Sequence, residues 1–429
     1  MHATYPNTWY AADVGSADGY PAFAGSTDVD VCVIGGGLAG LTTALEMVRA
    51  GRSVVLLEAE RIGFGASGRN GGFVAPGYAL ANGKIAKRVG LANAKQLYEL
   101  SREGAEYVRA TIAALAPAIK MGDGWLVAMR YPGREELKAE QTLMAAEFGA
   151  RTEIWDLART RAALKSERYH IGMFVPEAFH IQPLAYALAL AREVTRLGGL
   201  VHEASRATGW RRRNATTQID TAGGSVRASQ IVFATGGYER GLFAPLARSV
   251  LPVATYIAVT EPLAARADTA IATASAISDT RRAGDYYRRL PDGRILWGGR
   301  ITTRRSEPER LAETMHGDML SVYPQLEGSR MDFAWSGLMG YARHKMPVIG
   351  KAGDGLWMAS AFGGHGLNTT AMAGQLIARA IVSGDEDWRQ FEAFGAPWIG
   401  GPLGQVAAQF SYWGMQIQDR LDERRSFAH

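Results

Sequence analysis

The chain has 429 residues, 47% of them hydrophobic and 21% charged, which fits two or three globular units with a large core and excludes disorder over most of its length. Its 51 glycines follow no G-X-Y period, so a collagen-like fibre is excluded and many tight turns are implied. Forty-seven Lys and Arg against 42 Asp and Glu leave a net charge of +5, too mild over this length to argue for nucleic acid, and the single cysteine, Cys32, excludes an internal disulfide or a multi-cysteine metal site.

Residues 1–25 form a polar, aromatic arm with no basic-then-apolar leader pattern, and no apolar run approaches the ~18 residues of a membrane span, so a cytoplasmic location without a membrane span is expected. Val29–Ile34 is a β-branched run ending at Gly35. An Ala- and Leu-rich helical pattern follows over 38–50, and Ser53–Glu58 is a second buried strand, completing a β-α-β unit. Cys32 sits inside the first apolar run and reads as a small core residue. Helices are expected over 85–117, 134–150 and 183–198, then a strand at 200–202 and an arginine-rich hairpin around Trp210–Asn214. Gln230–Ala234 is a further strand, and strand-like pieces dominate from about 250 to 345. A last strand, Leu356–Ala359, meets Gly363-Gly364-His365-Gly366 and a helix over about 367–383. In the tail, Leu403, Val406, Phe410, Trp413 and Ile417 share one helical face, expected to dock on the protein's own body.

Gly35-Gly36-Gly37-Leu38-Ala39-Gly40 matches G-x-G-x-x-G in the context that gives the motif meaning: it closes a strand, opens a helix, and precedes an acidic residue, Glu58, at the end of the next strand. Gly35 serves the tight turn, Gly37 the approach of a pyrophosphate, and Gly40 close helix–strand packing. The helix N-terminus, with Leu38 and Ala39, offers N–H groups to phosphates. Glu58, followed by Ala59, is placed to accept from a ribose hydroxyl and disfavours a 2′-phosphate there. Three further features favour FAD over a nicotinamide cofactor. The small-residue loop Gly65-Ala66-Ser67-Gly68-Arg69-Asn70-Gly71-Gly72 can pass close to a flat ligand while Ser67 and Arg69 reach phosphates. The strand end Ala234-Thr235-Gly236-Gly237 lets ligand and backbone meet. The Gly364-His365-Gly366 turn, opening the helix that begins Leu367-Asn368-Thr369, can stabilise negative charge on a reduced flavin.

On these motifs the chain resembles the D-amino-acid-oxidase-like (DAO) family of FAD-dependent amine oxidoreductases, and within it the γ-glutamylputrescine oxidoreductase type. The likeness runs over nearly the whole chain and includes Thr8-Trp9-Tyr10, Thr260-Glu261-Pro262-Leu263, Trp297-Gly298-Gly299-Arg300 and Met346-Pro347-Val348-Ile349-Gly350. It implies an α/β fold: a Rossmann-type FAD-binding domain from 26–84, 180–250 and 346–384, interleaved with an antiparallel-rich α+β substrate domain from 85–179 and 251–345. The arm 1–25 and a helical tail 385–429 flank them. It also implies hydride transfer from an amine-bearing carbon to flavin N5, with the imine hydrolysed to an aldehyde or ketone and the electrons passed to oxygen or another acceptor. A small-molecule amine is the expected partner, a γ-glutamylated polyamine among the candidates. Alternatives are an N-methyl (sarcosine-like) or D-amino-acid oxidase or dehydrogenase, and a non-catalytic flavin-binding protein. Ala207 falls where backbone groups of the family meet the adenine. Gly340–Lys345 lacks the cysteine that tethers flavin in some relatives, and no histidine lies near the small-residue loop, so non-covalent FAD is implied; Phe73 stands where a glutamine is common.

For the chemistry, His365 is the best-placed titratable group, beside the expected pyrimidine end of the flavin. Arg343 and Lys345 follow a strand expected under the ring and are candidates for a substrate carboxylate or for oxygen reduction. Tyr286 and Tyr287 are candidates for an amine site through their ring faces, at least one of them being core. Trp297 and Trp335 read as core. Arg211–Arg213, Arg281-Arg282, Arg304-Arg305 and Arg424-Arg425 read as solvated charge, and no metal site is expected.

Overall fold

A computed structural model describes residues 4–426 apart from 17 and 132, without the side chains of 134 and 424–426; those of Arg424 and Arg425 therefore lie outside the described residues. Two sheets carry the fold. In the first, Leu356–Ser360, Gly224–Phe233, Gly25–Ile34, Val54–Leu57 and Leu200–His202 run parallel in that spatial order, with Val348–Gly353 antiparallel at one edge. The hairpin of Ala207–Arg213 and Thr216–Thr221 joins through Gly224–Phe233. All four residues of Val54–Leu57 are buried, as expected of a parallel strand covered on both faces. Helix Leu38–Arg49 packs between helices Pro183–Arg196 and Gly366–Ser383 and buries Leu38, Leu41, Ala44, Leu45 and Met47. Cys32 is fully buried and its thiol is pushed up to about 12 by that burial.

The second sheet has the order Met331–Tyr341, Leu251–Thr260, Ile295–Thr302, Tyr286–Arg289, Ala276–Asp279, Lys120–Ala128, Gly172–Ile181, Phe73–Val74, and is antiparallel except where Ala276–Asp279 meets Lys120–Ala128. Two features depart from the sequence-based division. Phe73–Val74, inside the segment assigned to the FAD domain, pairs with Gly172–Ile181 of the second sheet. Helix Leu91–Leu115, assigned to the substrate domain, packs on Gly366–Ser383 of the first unit.

The arm packs into the body of the protein. Thr8 caps helix Trp9–Val14, and the fully buried Tyr10 donates to the Asn70 carbonyl at 2.8 Å and accepts from Arg288 Nη2 at 3.0 Å. The tail helix, Gly401–Ser426, differs from expectation as well. Leu403 is 80% exposed, Phe410 63% and Trp413 51%, so the apolar stripe faces solvent while the polar face meets the body. Among the described residues no helix is long and apolar enough to cross a membrane.

The Tyr10–Arg288 contact belongs to a buried network with a pH consequence. His180 Nδ1 faces Arg288 Nη1 at 2.8 Å and its Nε2 faces the Ala274 carbonyl at 2.8 Å, so the imidazole fits as a neutral ring protonated on Nε2. Burial, with Arg288 beside it, pushes its pKa down to about 3. The unfolded chain therefore binds more protons below the ordinary histidine pKa, and stability is lost as pH falls from about 6.5 toward 3. We expect about 2 kcal/mol of loss between pH 7 and pH 5 from this group, seen as a falling thermal midpoint; a midpoint that is flat or rises on acidification contradicts the network.

Candidate active site

The carboxyl ends of the parallel strands open onto a cavity of about 940 Å3, which is lined from both sheets. This is where open α/β sheets place ligands. At one end the β-α-β unit supplies a turn that only bare backbone can make. Gly35 has φ +114°, and a Cβ there would lie 2.5 Å from the Ala234 oxygen; a Cβ on Gly40 would collide with the Gly35 carbonyl. The first turn of helix Leu38–Arg49 begins at Gly37, which has no side chain to cap it, so the dipole and the first-turn N–H groups other than Leu38 N are presented to the cavity. Glu58 closes this end: its Oε2 accepts from Gly36 N at 2.7 Å and its Oε1 from Glu60 N at 2.8 Å. Burial raises its pKa while these two donors oppose the rise. Each carboxylate oxygen retains a lone pair for a further donor. Ala59, Arg206 and Ala207 line the wall beside it.

Ser67 accepts from Leu38 N at 3.0 Å, which ties the small-residue loop to the helix end. Gly65, Ala66, Gly71, Gly72, Thr235 and Gly236 line the middle of the cavity. Arg69 lines it too, with two of its five N–H donors engaged: Nε donates to the Phe64 carbonyl at 2.7 Å and Nη1 to the Ser336 carbonyl at 3.2 Å. Asn70 holds the loop's shape, with Nδ2 on the Ala66 and Ser67 carbonyls and Oδ1 receiving Gly72 N.

The other end is aromatic. Phe73 makes edge contacts with Trp125 and Tyr286, and Trp125 lies 6.0 Å from the His365 ring. Tyr341 stands against Gly363 and Gly364. His365 precedes helix Gly366–Ser383, and its enclosure by the cavity walls pushes its pKa down to about 4. Gly364, Gly366 and Leu367 line the cavity with it.

Several expected site residues lie elsewhere. Asn368 and Thr369 are buried behind the first turn, Asn368 donating to the Gly77 carbonyl at 3.1 Å and Thr369 to the His365 carbonyl. In strand Tyr286–Arg289 successive side chains alternate faces, so Tyr286 lines the cavity while Tyr287 points into the core. Tyr287 stacks on Trp297 at 4.3 Å and bonds the Tyr169 and Tyr323 hydroxyls at 2.8 Å each. Arg343 and Lys345 also fall away, because the strand under the cavity ends at Tyr341 and the chain turns outward; both side chains are exposed and neither lines the cavity. Trp297 and Trp335 are buried outside the lining.

One wall was not legible as part of a site. Asp279, Arg281, Arg282, Ala283, Gly284 and Asp285 border the cavity next to Tyr286. Arg281 bonds Asp279 at 2.9 Å and also Asp285. Burial pushes the Asp285 carboxyl up while Arg281 opposes it. Arg281-Arg282 looked like solvated charge because its carboxylate partners include residues more than a hundred positions away.

The residues fit FAD. The N-terminal end of this helix lies where the pyrophosphate would sit, and a Cβ at Gly37 would come within 2.9 Å of Ser67 Oγ, so side-chain-free backbone forms the cradle. With the site described, comparison with known proteins agrees: the model of the DAO family, "FAD dependent oxidoreductase", matches residues 30–380, and the chain belongs to that family. It is 31% identical to a probable oxidoreductase, OrdL, of Haemophilus influenzae over 95% of both chains, and 31% identical to gamma-glutamylputrescine oxidoreductase of Escherichia coli over 91% of both. Among solved structures, glycine oxidase from Geobacillus kaustophilus superposes with a TM-score of 0.71 at 18% identity, covering 86% of this chain and 98% of that one.

The cradle makes a direct prediction. Gly37→Val fills the space between helix end and Ser67, and should lower FAD affinity by at least about tenfold while the circular dichroism spectrum stays that of the parent. Full flavin content in this variant would contradict the placement.

Proposed function

We propose that this FAD-dependent oxidoreductase oxidises a primary or secondary amine, with a γ-glutamylated polyamine as the favoured donor and FAD held non-covalently. The observation that carries this reading is the continuity of one cavity from the Gly35–Gly37 turn to the Phe73, Trp125, Tyr286 and Tyr341 cluster, with room for a dinucleotide and a donor together. Bound FAD supplies the hydride acceptor; the amine-bearing carbon gives up the hydride, and water hydrolyses the imine to an aldehyde or ketone.

The chain's own part is to position and desolvate. The ring faces of Trp125 and Tyr286 attract an incoming ammonium, and their apolar bodies exclude water. Enclosure then lowers the amine's pKa, so its proton leaves to solvent and the nitrogen lone pair becomes available. His365 stays neutral above about pH 5 because its own pKa is held near 4, and adds no positive charge against the donor. The arginines beside this end are already engaged: Arg281 by Asp279 and Asp285, Arg282 by Asp419 and Asp422, Arg300 by Asp318. That pairing favours an amine over a donor with a carboxylate on the reacting carbon. The likeness to gamma-glutamylputrescine oxidoreductase supports the same choice, whereas the glycine oxidases among the relatives favour an amino-acid donor such as glycine.

The test is anaerobic bleaching of the bound flavin by γ-glutamylputrescine, putrescine, sarcosine, glycine and D-alanine, followed by hydrogen peroxide release in air. We expect bleaching by the first, with a rate that rises with pH through the amine's bound pKa. Bleaching by amino acids alone overturns the donor assignment, and bleaching by nothing leaves a flavin-binding protein without turnover. Tyr286→Ala should raise KM about tenfold. Tyr287→Phe should leave KM unchanged and cost about 1 kcal/mol of stability through its lost hydroxyl bonds; equal KM effects in the two variants would contradict the assignment of faces.

A further inference from the structure

Helix Gly401–Ser426 lies outside the residues matched by the family, 30–380, yet its polar face grips the cavity's substrate wall. Asp419 is 5% exposed. Its Oδ1 accepts from the backbone N of Arg282 at 3.1 Å and from Arg282 Nη1 at 2.9 Å, and its Oδ2 accepts from Ala283 N at 3.1 Å. Both of those residues line the cavity. One turn further on, Glu423 bonds Arg130 at 3.0 Å, and Arg130 faces Asp279 from the other side. Ten residues earlier, about 15 Å along the helix, Gln409 Oε1 accepts from Thr303 N at 2.9 Å and from Thr302 Oγ1 at 2.8 Å. That contact pins the end of strand Ile295–Thr302, whose Arg300 and Ile301 also line the cavity.

A loop of Arg, Ala and Gly has no apolar anchor of its own, so polar contacts hold its shape: Asp279 accepts from Arg281 N at 3.1 Å on one side, and Asp419 satisfies the next two backbone N–H groups. Charge-assisted bonds of this kind are the stronger class, and a buried carboxylate cannot be replaced by water at this depth without loss. From this geometry we propose that Asp419 is a positioning residue for substrate. The C-terminal helix acts as a brace that fixes the 281–284 loop against the donor, so donor specificity depends on a segment outside the catalytic fold.

This inference rests on the amine-oxidation reading for its kinetic arm, and its structural arm is independent of turnover. The experiment uses FAD-loaded full-length protein, comparing the parent with Asp419→Ala, Asp419→Asn and Asp419→Glu. Hydrogen exchange should show the amides of 280–285 opening at least about tenfold faster in Asp419→Ala, with Gly224–Phe233 and the flavin spectrum unchanged. Asp419→Glu should recover part of the protection and Asp419→Asn less. With whichever amine bleaches the parent, KM should rise about tenfold in Asp419→Ala with a much smaller change in kcat. Unchanged exchange at 280–285 overturns the brace, whether or not any amine is oxidised. Faster exchange with unchanged KM overturns the positioning role and leaves only a structural one. A parent that no amine bleaches, with the exchange result as expected, overturns the functional reading and the role toward substrate while the brace stands.

Discussion

The meeting of a helix N-terminus with bare backbone is the constraint on which the rest of the molecule depends. Strand Gly25–Ile34 can hand over to helix Leu38–Arg49 within three residues only because Gly35 takes a positive φ and Gly40 lets the helix sit on the turn. The same compression leaves the first-turn N–H groups, apart from Leu38 N on Ser67 Oγ, without a side-chain partner and turned toward the cavity. Glu58 and Ser67 then hold the turn from two sides, and the aromatic end of the cavity is lined by segments far away in sequence, at 125, 286, 341 and 363–366. This junction sets the helix-end side of the cavity, and the distant segments close the aromatic side.

The parts of this design that were legible in the sequence are those whose signal is local. The G-x-G-x-x-G run, the acidic residue ending the next strand and the glycine turns at 65–72 and 363–366 each carry a backbone requirement that few residue types meet. The substrate end is assembled differently. Tyr286 and Tyr287 are neighbours of identical type, and only the pleat of their strand sends one to the cavity and the other onto Trp297. Arg343 and Lys345 had the right charge, but the point at which their strand ends turns them outward. Arg69 lies on the cavity wall, and its Nε and Nη1 also tie the loop to the Phe64 and Ser336 carbonyls.

Long-range polar pairing explains the remaining surprises. Tyr10 in the arm reaches Asn70 and Arg288, and Asp419 in the tail reaches Arg282, so both ends of the chain stabilise loops that border the cavity. An apolar stripe on the tail helix suggested that this face would be buried. Instead the carboxylates and Gln409 on the opposite side found the stronger partners, and Leu403, Phe410 and Trp413 were left outward. Hydrophobic periodicity identifies the helix, but charge complementarity decided which side faces the protein.

The geometry calls for one dinucleotide gripped by its adenosine and pyrophosphate end. Titration of flavin-free protein with FAD, FMN and NAD, followed by flavin fluorescence and calorimetry, tests it most directly. One FAD per chain, far weaker FMN and no competition from NAD are expected. FMN binding as tightly as FAD, or NAD displacing it, would contradict this mode of binding.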